Sequence, residues 1–200
     1  FETLTVVSKG IIDHADSLGA SARYGDGDAQ WLTAGDGINH SEMFPLLNQN
    51  GKNKLDFFQI WLNLPSHNKR VDPNFEMYWK DMIPKISDSS LGNKNAEVEL
   101  VTGDYQDVSA PIAPQNSWAN DKKNDVAVWI IRLNERGEFS IPQTKSGANR
   151  NLYILKNSNI EIDGDLIPDH SMIVLNASKK TVIKNLGKRT KILMLQGVPI

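Results

Sequence analysis

The chain has 200 residues, 40% of them hydrophobic and 23% charged, with a net charge of −2, a balance that suits one large or two small folded domains and excludes wholesale disorder. No run approaches the roughly 20 consecutive apolar residues of a membrane-crossing helix. Residues 1–88 carry 8 Lys+Arg against 12 Asp+Glu and residues 89–200 carry 14 against 12, so neither half offers the basic surplus that a phosphate backbone demands. No membrane and no direct nucleic-acid partner are therefore expected. With no cysteine, disulfide frameworks, zinc ribbons and thiol nucleophiles are excluded, and a reducing, cytoplasmic setting is expected.

Strand signals dominate. Phe1-Glu2-Thr3-Leu4-Thr5-Val6-Val7 reads as a strand already under way, with no initiator Met or targeting segment, and both termini are read as cut ends. Gly10 to His14 leads to the turn Asp16-Ser17-Leu18-Gly19, and Ser21 to Tyr24 leads to Gly25-Asp26-Gly27-Asp28. Next come Ala29 to Ala34, the loop Gly35-Asp36-Gly37, and the run Ile38 to Met43. Phe57-Phe58-Gln59-Ile60-Trp61-Leu62-Asn63-Leu64 is the strongest strand signal and Pro65 stops it. The polar stretch from Ser87 to Asn95 marks a domain boundary, giving domains 1–88 and 89–200. Beyond it, strands are predicted around 96–101, 126–131, 151–155, 159–165, 172–175, 181–183 and 191–195. Two β series of similar cadence predict an all-β chain of duplicated architecture.

Four histidines exist: His14, His40, His67 and His170. His40 stands out because Glu42 follows two positions on, and the period-2 geometry of a strand places both side chains on one face, close enough to share an ion. Taken alone, His-x-Glu is also explained by a hydrogen-bonded pair on a strand. His14 lies beside a predicted turn and reads as a surface residue, as does His67, while His170 has no second His or Glu at ligand spacing. Gln59, Trp61 and Asn63 share a strand face and are candidates for lining a cavity, although sheet packing accounts for Trp61 equally well. Gly25-Asp26-Gly27-Asp28 lacks the later Glu of a calcium loop and reads as a turn. No phosphate-cradling Gly loop and no Gly-x-Ser-x-Gly elbow is present.

The run Gly27-Asp28-Ala29-Gln30-Trp31-Leu32-Thr33-Ala34-Gly35-Asp36-Gly37-Ile38-Asn39-His40-Ser41-Glu42-Met43 closely resembles the signature of the pirin family. So do Phe1-Glu2-Thr3, Gln59 to Pro65 and Val71-Asp72-Pro73, in order and at nearly the family spacing; beyond residue 86 the likeness narrows to the closing Leu195 to Ile200.

The resemblance implies a bicupin, two β-barrel or jelly-roll domains in tandem, with one transition-metal ion in the first barrel and none in the second. It implies a ligand set of three His and one Glu, of which His40 and Glu42 are two. The other two form a His-x-His expected just before the Phe-Glu-Thr, outside the supplied residues, so the remaining pair alone should bind metal weakly. Such a set suits iron first, with copper, nickel or manganese as alternatives. Glu2 is expected to share the face of those ligands and to act as proton acceptor or support for the metal, against the plainer reading of a solvated strand carboxylate. The function implied is a quercetin dioxygenase-type reaction on a flavonol or similar small aromatic. The alternatives are a metal-sensitive regulatory protein with a protein partner, or an inactive fragment whose open sheet edges promote self-association.

Overall fold

The computed structural model describes all residues except 88–93, 145–146 and 156–158, together with all of Lys94 but its side chain. It is almost entirely β. Among the described residues the only helical pieces are three 3₁₀ turns, Ser66–Asn68, Trp118–Asn120 and Lys122–Asn124.

The chain divides into two units: Phe1–Ile83 with Pro111–Asn120 and Ile200, and Pro84–Ala110 with Asp121–Pro199. The boundary expected at residue 88 lies outside the described residues. Residues 111–120, which the sequence reading gave to the second domain, are part of the first unit.

The first unit contains β1 (Glu2–Lys9), β2 (Ile11–Asp16), β3 (Ser21–Gly25), β4 (Ala29–Thr33), β5 (His40–Met43), β6 (Asp56–Leu62) and β7 (Asn74–Tyr78). They form two antiparallel sheets, β6-β1-β4-β7 and β3-β2-β5. Between the sheets, Val7, Ile12 and Tyr24 pack together, with Ala22, Phe57 and Met77 partly buried against them. The pairings Val7↔Phe57, Thr5↔Gln59 and Thr5↔Gln30 put Thr5, Gln30 and Gln59 on the same inner face as Val7, because side chains alternate along each strand.

All five residues of β4, Ala-Gln-Trp-Leu-Thr, are buried. Alternation of exposure is lost there because the outer face is covered as well: Ser117 and Ile112, from the returning segment 111–120, bond to Glu2 and Tyr78 on that side.

Turns are closed by side chains that the acidic Gly-Asp repeats supply. Asp28 Oδ2 accepts from the Gly25 amide at 2.9 Å, and its Oδ1 accepts from the Lys80 amide at 2.9 Å. Asp26 Oδ1 accepts from the Gly10 amide at 3.0 Å. These carboxylates serve as backbone caps, as the turn reading expects.

The second unit contains β8 (Lys85–Ile86), β9 (Lys94–Thr102), the hairpin β10 (Asp104–Tyr105) and β11 (Val108–Ser109), β12 (Ala127–Ile141), β13 (Asn149–Ile154), β14 (Ile160–Ile162), β15 (Asp165–Ile167), β16 (Ser171–Leu175), β17 (Thr181–Asn185) and β18 (Thr190–Gly197). Its main sheet runs β15-β14-β17-β12-β18-β13-β16, with β9 also on β12 and β8 on β9. Val98, Trp129, Ile131, Phe139, Leu152, Ile183 and Ile192 belong to one apolar core.

Gly35 turns the chain between β4 and β5. Its φ is +52°, and a Cβ there would stand 2.1 Å from the Val71 carbonyl oxygen. Gly35→Ala is expected to cost about 1–3 kcal/mol, seen as a lower urea midpoint at unchanged slope.

Candidate metal centre

β5 is a short edge strand whose only partner among the described residues is β2, in the register His14↔Glu42 and Asp16↔His40. Residues directly opposite in an antiparallel pair point to the same face, and alternation carries that face along each strand. His40, Glu42, His14 and Asp16 thus project together, on the side of β2 that carries Ile12. The expected sharing of one inward face by His40 and Glu42 is what the backbone provides.

The two differ in setting. His40 is exposed, and its ring stacks on that of His14 at 5.5 Å with 21° between planes. Glu42 is half-buried, and its Oε2 accepts a long hydrogen bond of 3.4 Å from Gln59 Nε2 on β6. Because β5 and β6 are the edge strands of their sheets, the pair stands at the rim between them. On the same inner face of β6, Trp61 is 68% exposed and stacks on Phe1 at 4.7 Å.

His14 departs from its expected surface position. It is 3% exposed, covered by the Phe75 ring at 4.9 Å. Its Nε2 lies 3.1 Å from Asp16 Oδ2 and its Nδ1 lies 3.0 Å from Gln30 Nε2. Gln30 Oε1 in turn accepts from the Tyr24 hydroxyl at 2.8 Å. The usable signal was the alternation Ile12-x-His14-x-Asp16, which places the histidine with an apolar neighbour on the inner face; the adjacent turn residues masked it.

Glu2 also departs from expectation, being neither solvated nor with the pair. It is fully buried, and the pairings Glu2↔Thr33 and Leu4↔Trp31 set it on the outer face of β1, opposite to Thr5 and Gln30. There its carboxyl accepts from Thr33 Oγ1 at 2.8 Å and from Ser117 Oγ at 2.6 Å. Alternation along β1 is the physical reason: the odd-numbered residues face Tyr24, so residue 2 cannot.

The remaining candidates do not join the site. His67 is exposed in the 3₁₀ turn Ser66–Asn68, and His170 is exposed in a left-handed turn of the second unit. Asn63 accepts from Lys69 Nζ.

Residues 1–62 match the family model described as Pirin. Over these residues the chain is similar to the pirin family. A Pseudomonas aeruginosa relative, provisionally named a quercetin 2,3-dioxygenase, is 26% identical over 200 residues, which cover 100% of this chain and 65% of the relative. The crystal structure of quercetin 2,3-dioxygenase from Acinetobacter baumannii superposes with a TM-score of 0.81 at 24% identity, over 100% of this chain and 65% of that one. A bacterial pirin from Escherichia coli in complex with nickel(II) gives a TM-score of 0.65 at 20% identity, over 99% of this chain and 72% of that one. The chain therefore spans somewhat under two thirds of the length of the first two proteins. These likenesses establish the fold: all-β, of the pirin and cupin type.

His40 and Glu42 present an imidazole nitrogen and a carboxylate oxygen on one face at an open rim, donor types that first-row transition ions accept. Among the described residues no group of three or more His, Cys, Asp or Glu side chains is placed to hold an ion. His14 is a neighbour whose two ring nitrogens are already engaged.

Burial pushes the Glu2 carboxyl above its ordinary value of 4.5, against the opposing hydrogen bonds from Ser117 and Thr33. A carboxyl raised in the folded state binds its proton more tightly there than in the unfolded chain. Its contribution is therefore complete below about 4.5 and is lost as pH rises through the folded value. Glu2→Gln keeps a neutral hydrogen-bonding group, so the urea midpoint of the variant should fall less than that of the wild type as pH rises from about 4.5.

Proposed function

We propose that the chain is a metal-dependent cupin of the pirin type in which His40 and Glu42 hold one transition-metal ion, iron first and copper, nickel or manganese as alternatives, for a quercetin dioxygenase-type reaction on a flavonol or similar aromatic. The observation that carries this reading is the register of β2 with β5, which turns His40 and Glu42 to one inner face at the rim. The family likeness and the names of its relatives support it.

When bound, such an ion supplies Lewis acidity toward a substrate hydroxyl and one-electron chemistry toward oxygen. The chain's own residues supply the rest of the reading. His40 and Glu42 give mixed nitrogen and oxygen ligation, and Gln59 holds Glu42 from the facing sheet. Trp61 stacked on Phe1 presents an exposed aromatic face on which a flat ring can lie. Glu2 takes no part in proton transfer in this reading, since it is enclosed on the outer face of β1. A reducing, cytoplasmic setting, supported by the absence of cysteine, belongs to the same reading.

A second reading, a metal-sensitive binding protein with a protein partner, is favoured by the apolar run beside the pair. Met43, Phe44, Leu46 and Leu47 are 58%, 46%, 75% and 57% exposed, and an exposed apolar patch of this kind marks interaction surfaces.

Loss of quercetin under oxygen, measured with and without added Fe(II), Cu(II), Ni(II) or Mn(II), tests the first reading. Metal-dependent turnover that falls at least a hundredfold in His40→Ala is the expected outcome, ligand loss being worth several kcal/mol in bound-ion stabilisation. Metal binding with no turnover on any flavonol would leave the binding-protein reading instead.

A further inference from the structure

The second unit encloses an arginine that the proposed chemistry does not use. Along β13 exposure alternates, with Arg150, Leu152 and Ile154 buried. Leu152 and Ile154 belong to the apolar core, so the same alternation turns Arg150 to the core face. The pairings Ala127↔Gln196, Arg150↔Gln196 and Arg150↔Leu175 make one rung of that face from Ala127, Gln196, Arg150 and Leu175. Trp129, Met194, Leu152 and Ile173 form the next rung.

Arg150 is 2% exposed. Its Nε donates to Gln196 Oε1 at 2.7 Å, and Gln196 Nε2 donates to the Asp125 carbonyl at 3.2 Å. The guanidinium is thus held by a side chain that is itself tied to the backbone. Its Nη1 is buried and, among the described residues, has no hydrogen-bond partner. The Asp125 carboxylate acts on it electrostatically but makes no ion pair with it among the described residues, accepting instead from Thr144 Oγ1. Burial pushes the guanidinium below its ordinary range, and Asp125 offsets that only in part.

Taking a guanidinium out of water is costly unless acceptors and a counter-charge replace the water, and enclosed arginines are accordingly found paired. Here the rung supplies a single acceptor, Gln196 Oε1. Trp129 Nε1, a donor on the next rung, is likewise buried without a partner among the described residues. Two adjacent rungs of one face therefore carry donors that lack an acceptor and a cation that lacks an anion. A carboxylate answers both needs, with two accepting oxygens and one negative charge.

The surroundings restrict its class. Ala127 and Leu175 flank Arg150 with apolar surface, and Trp129, Leu152 and Met194 are 3%, 0% and 0% exposed. An interior this closely packed leaves no place for a long chain. One cation, partly offset by Asp125, matches a single negative charge rather than the two of a phosphate. A planar group with two oxygens also fits the fork of a guanidinium.

We propose that Arg150 is the recognition group of a buried site in the second unit for a small monocarboxylate of formate or acetate size. The site draws nothing from His40 and Glu42 and stands whether or not they hold an ion. Entry waits on local opening of the unit, so ligand and protein are equilibrated before measurement.

The test is calorimetric titration and the melting temperature of the full chain with sodium formate and sodium acetate, against chloride and phosphate at matched ionic strength. Formate or acetate should bind saturably and raise the melting temperature with concentration, as a ligand of the folded state does; chloride and phosphate should do neither. Arg150→Lys keeps the charge but loses the fork, and should weaken binding roughly tenfold. Arg150→Met removes the charge and should abolish both binding and the acetate dependence of melting; if it fails to fold, Arg150→Lys carries the test. Equal effects in all four salts mean that an ordered water alone satisfies Arg150, and overturn the site. Affinity unchanged in Arg150→Lys or Arg150→Met places the carboxylate elsewhere and overturns it equally.

Discussion

The pairing of β5 with β2 decides the face to which His40 and Glu42 point. β5 is four residues long and, among the described residues, pairs with β2 alone, so the face to which His40 and Glu42 point is set by hydrogen bonds to one strand. Strand side chains have a period of two, and a slip of one residue in that register would turn the pair outward together and bring Ser41 and Met43 inward. Three features oppose the slip. Gly35 can adopt the turn that sets where β5 begins; Asn39, just before the strand, gives its carbonyl to the Ser17 amide at 2.8 Å; and the ring of His40 lies on the buried ring of His14. A fixed register is thus built from one glycine, one backbone bond and one ring contact.

The inner face then supplies an uneven environment. Toward the interior, Ile12, Val7 and Tyr24 exclude water, and polar groups there survive only by bonding to one another in the Asp16 to Tyr24 chain. Toward the rim, His40 and Gln59 are exposed. Glu42 is half-buried between the two, where burial strengthens electrostatic interactions and access to solvent still lets a ligand enter.

Much of the architecture was legible because its signals are local. Turns with Gly and Asp, the stop at Pro65 and the β-branched runs gave nearly every strand of the first unit to within a few residues. The expected sharing of a face by His40 and Glu42 needed only period-2 alternation. What was not legible depends on pairing between distant segments. β12 runs on to Ile141, well past the strand expected around 126–131, because it changes partner along its length, from β18 at Ala127–Leu133 to β17 at Glu138–Ile141; Arg136, between the two, takes a left-handed φ of 57°. Glu2 could be assigned a face only after the partner of β1 was known. His14 was hidden by the turn next to it, although its alternation with Ile12 and Asp16 carried the information.

The return of residues 111–120 to the first unit has a consequence for how the protein is made. Ser117 and Ile112 close over Glu2 and Tyr78, yet they are synthesised after β8, β9, β10 and β11 of the other unit. On the ribosome, the amino-terminal sheets can emerge and pair early, but they stay uncapped until residue 120 has cleared the exit tunnel. In that interval the Glu2 carboxyl lacks its Ser117 partner and the Tyr78 hydroxyl its Ile112 partner, so the order of synthesis and the order of completion differ within a single polypeptide.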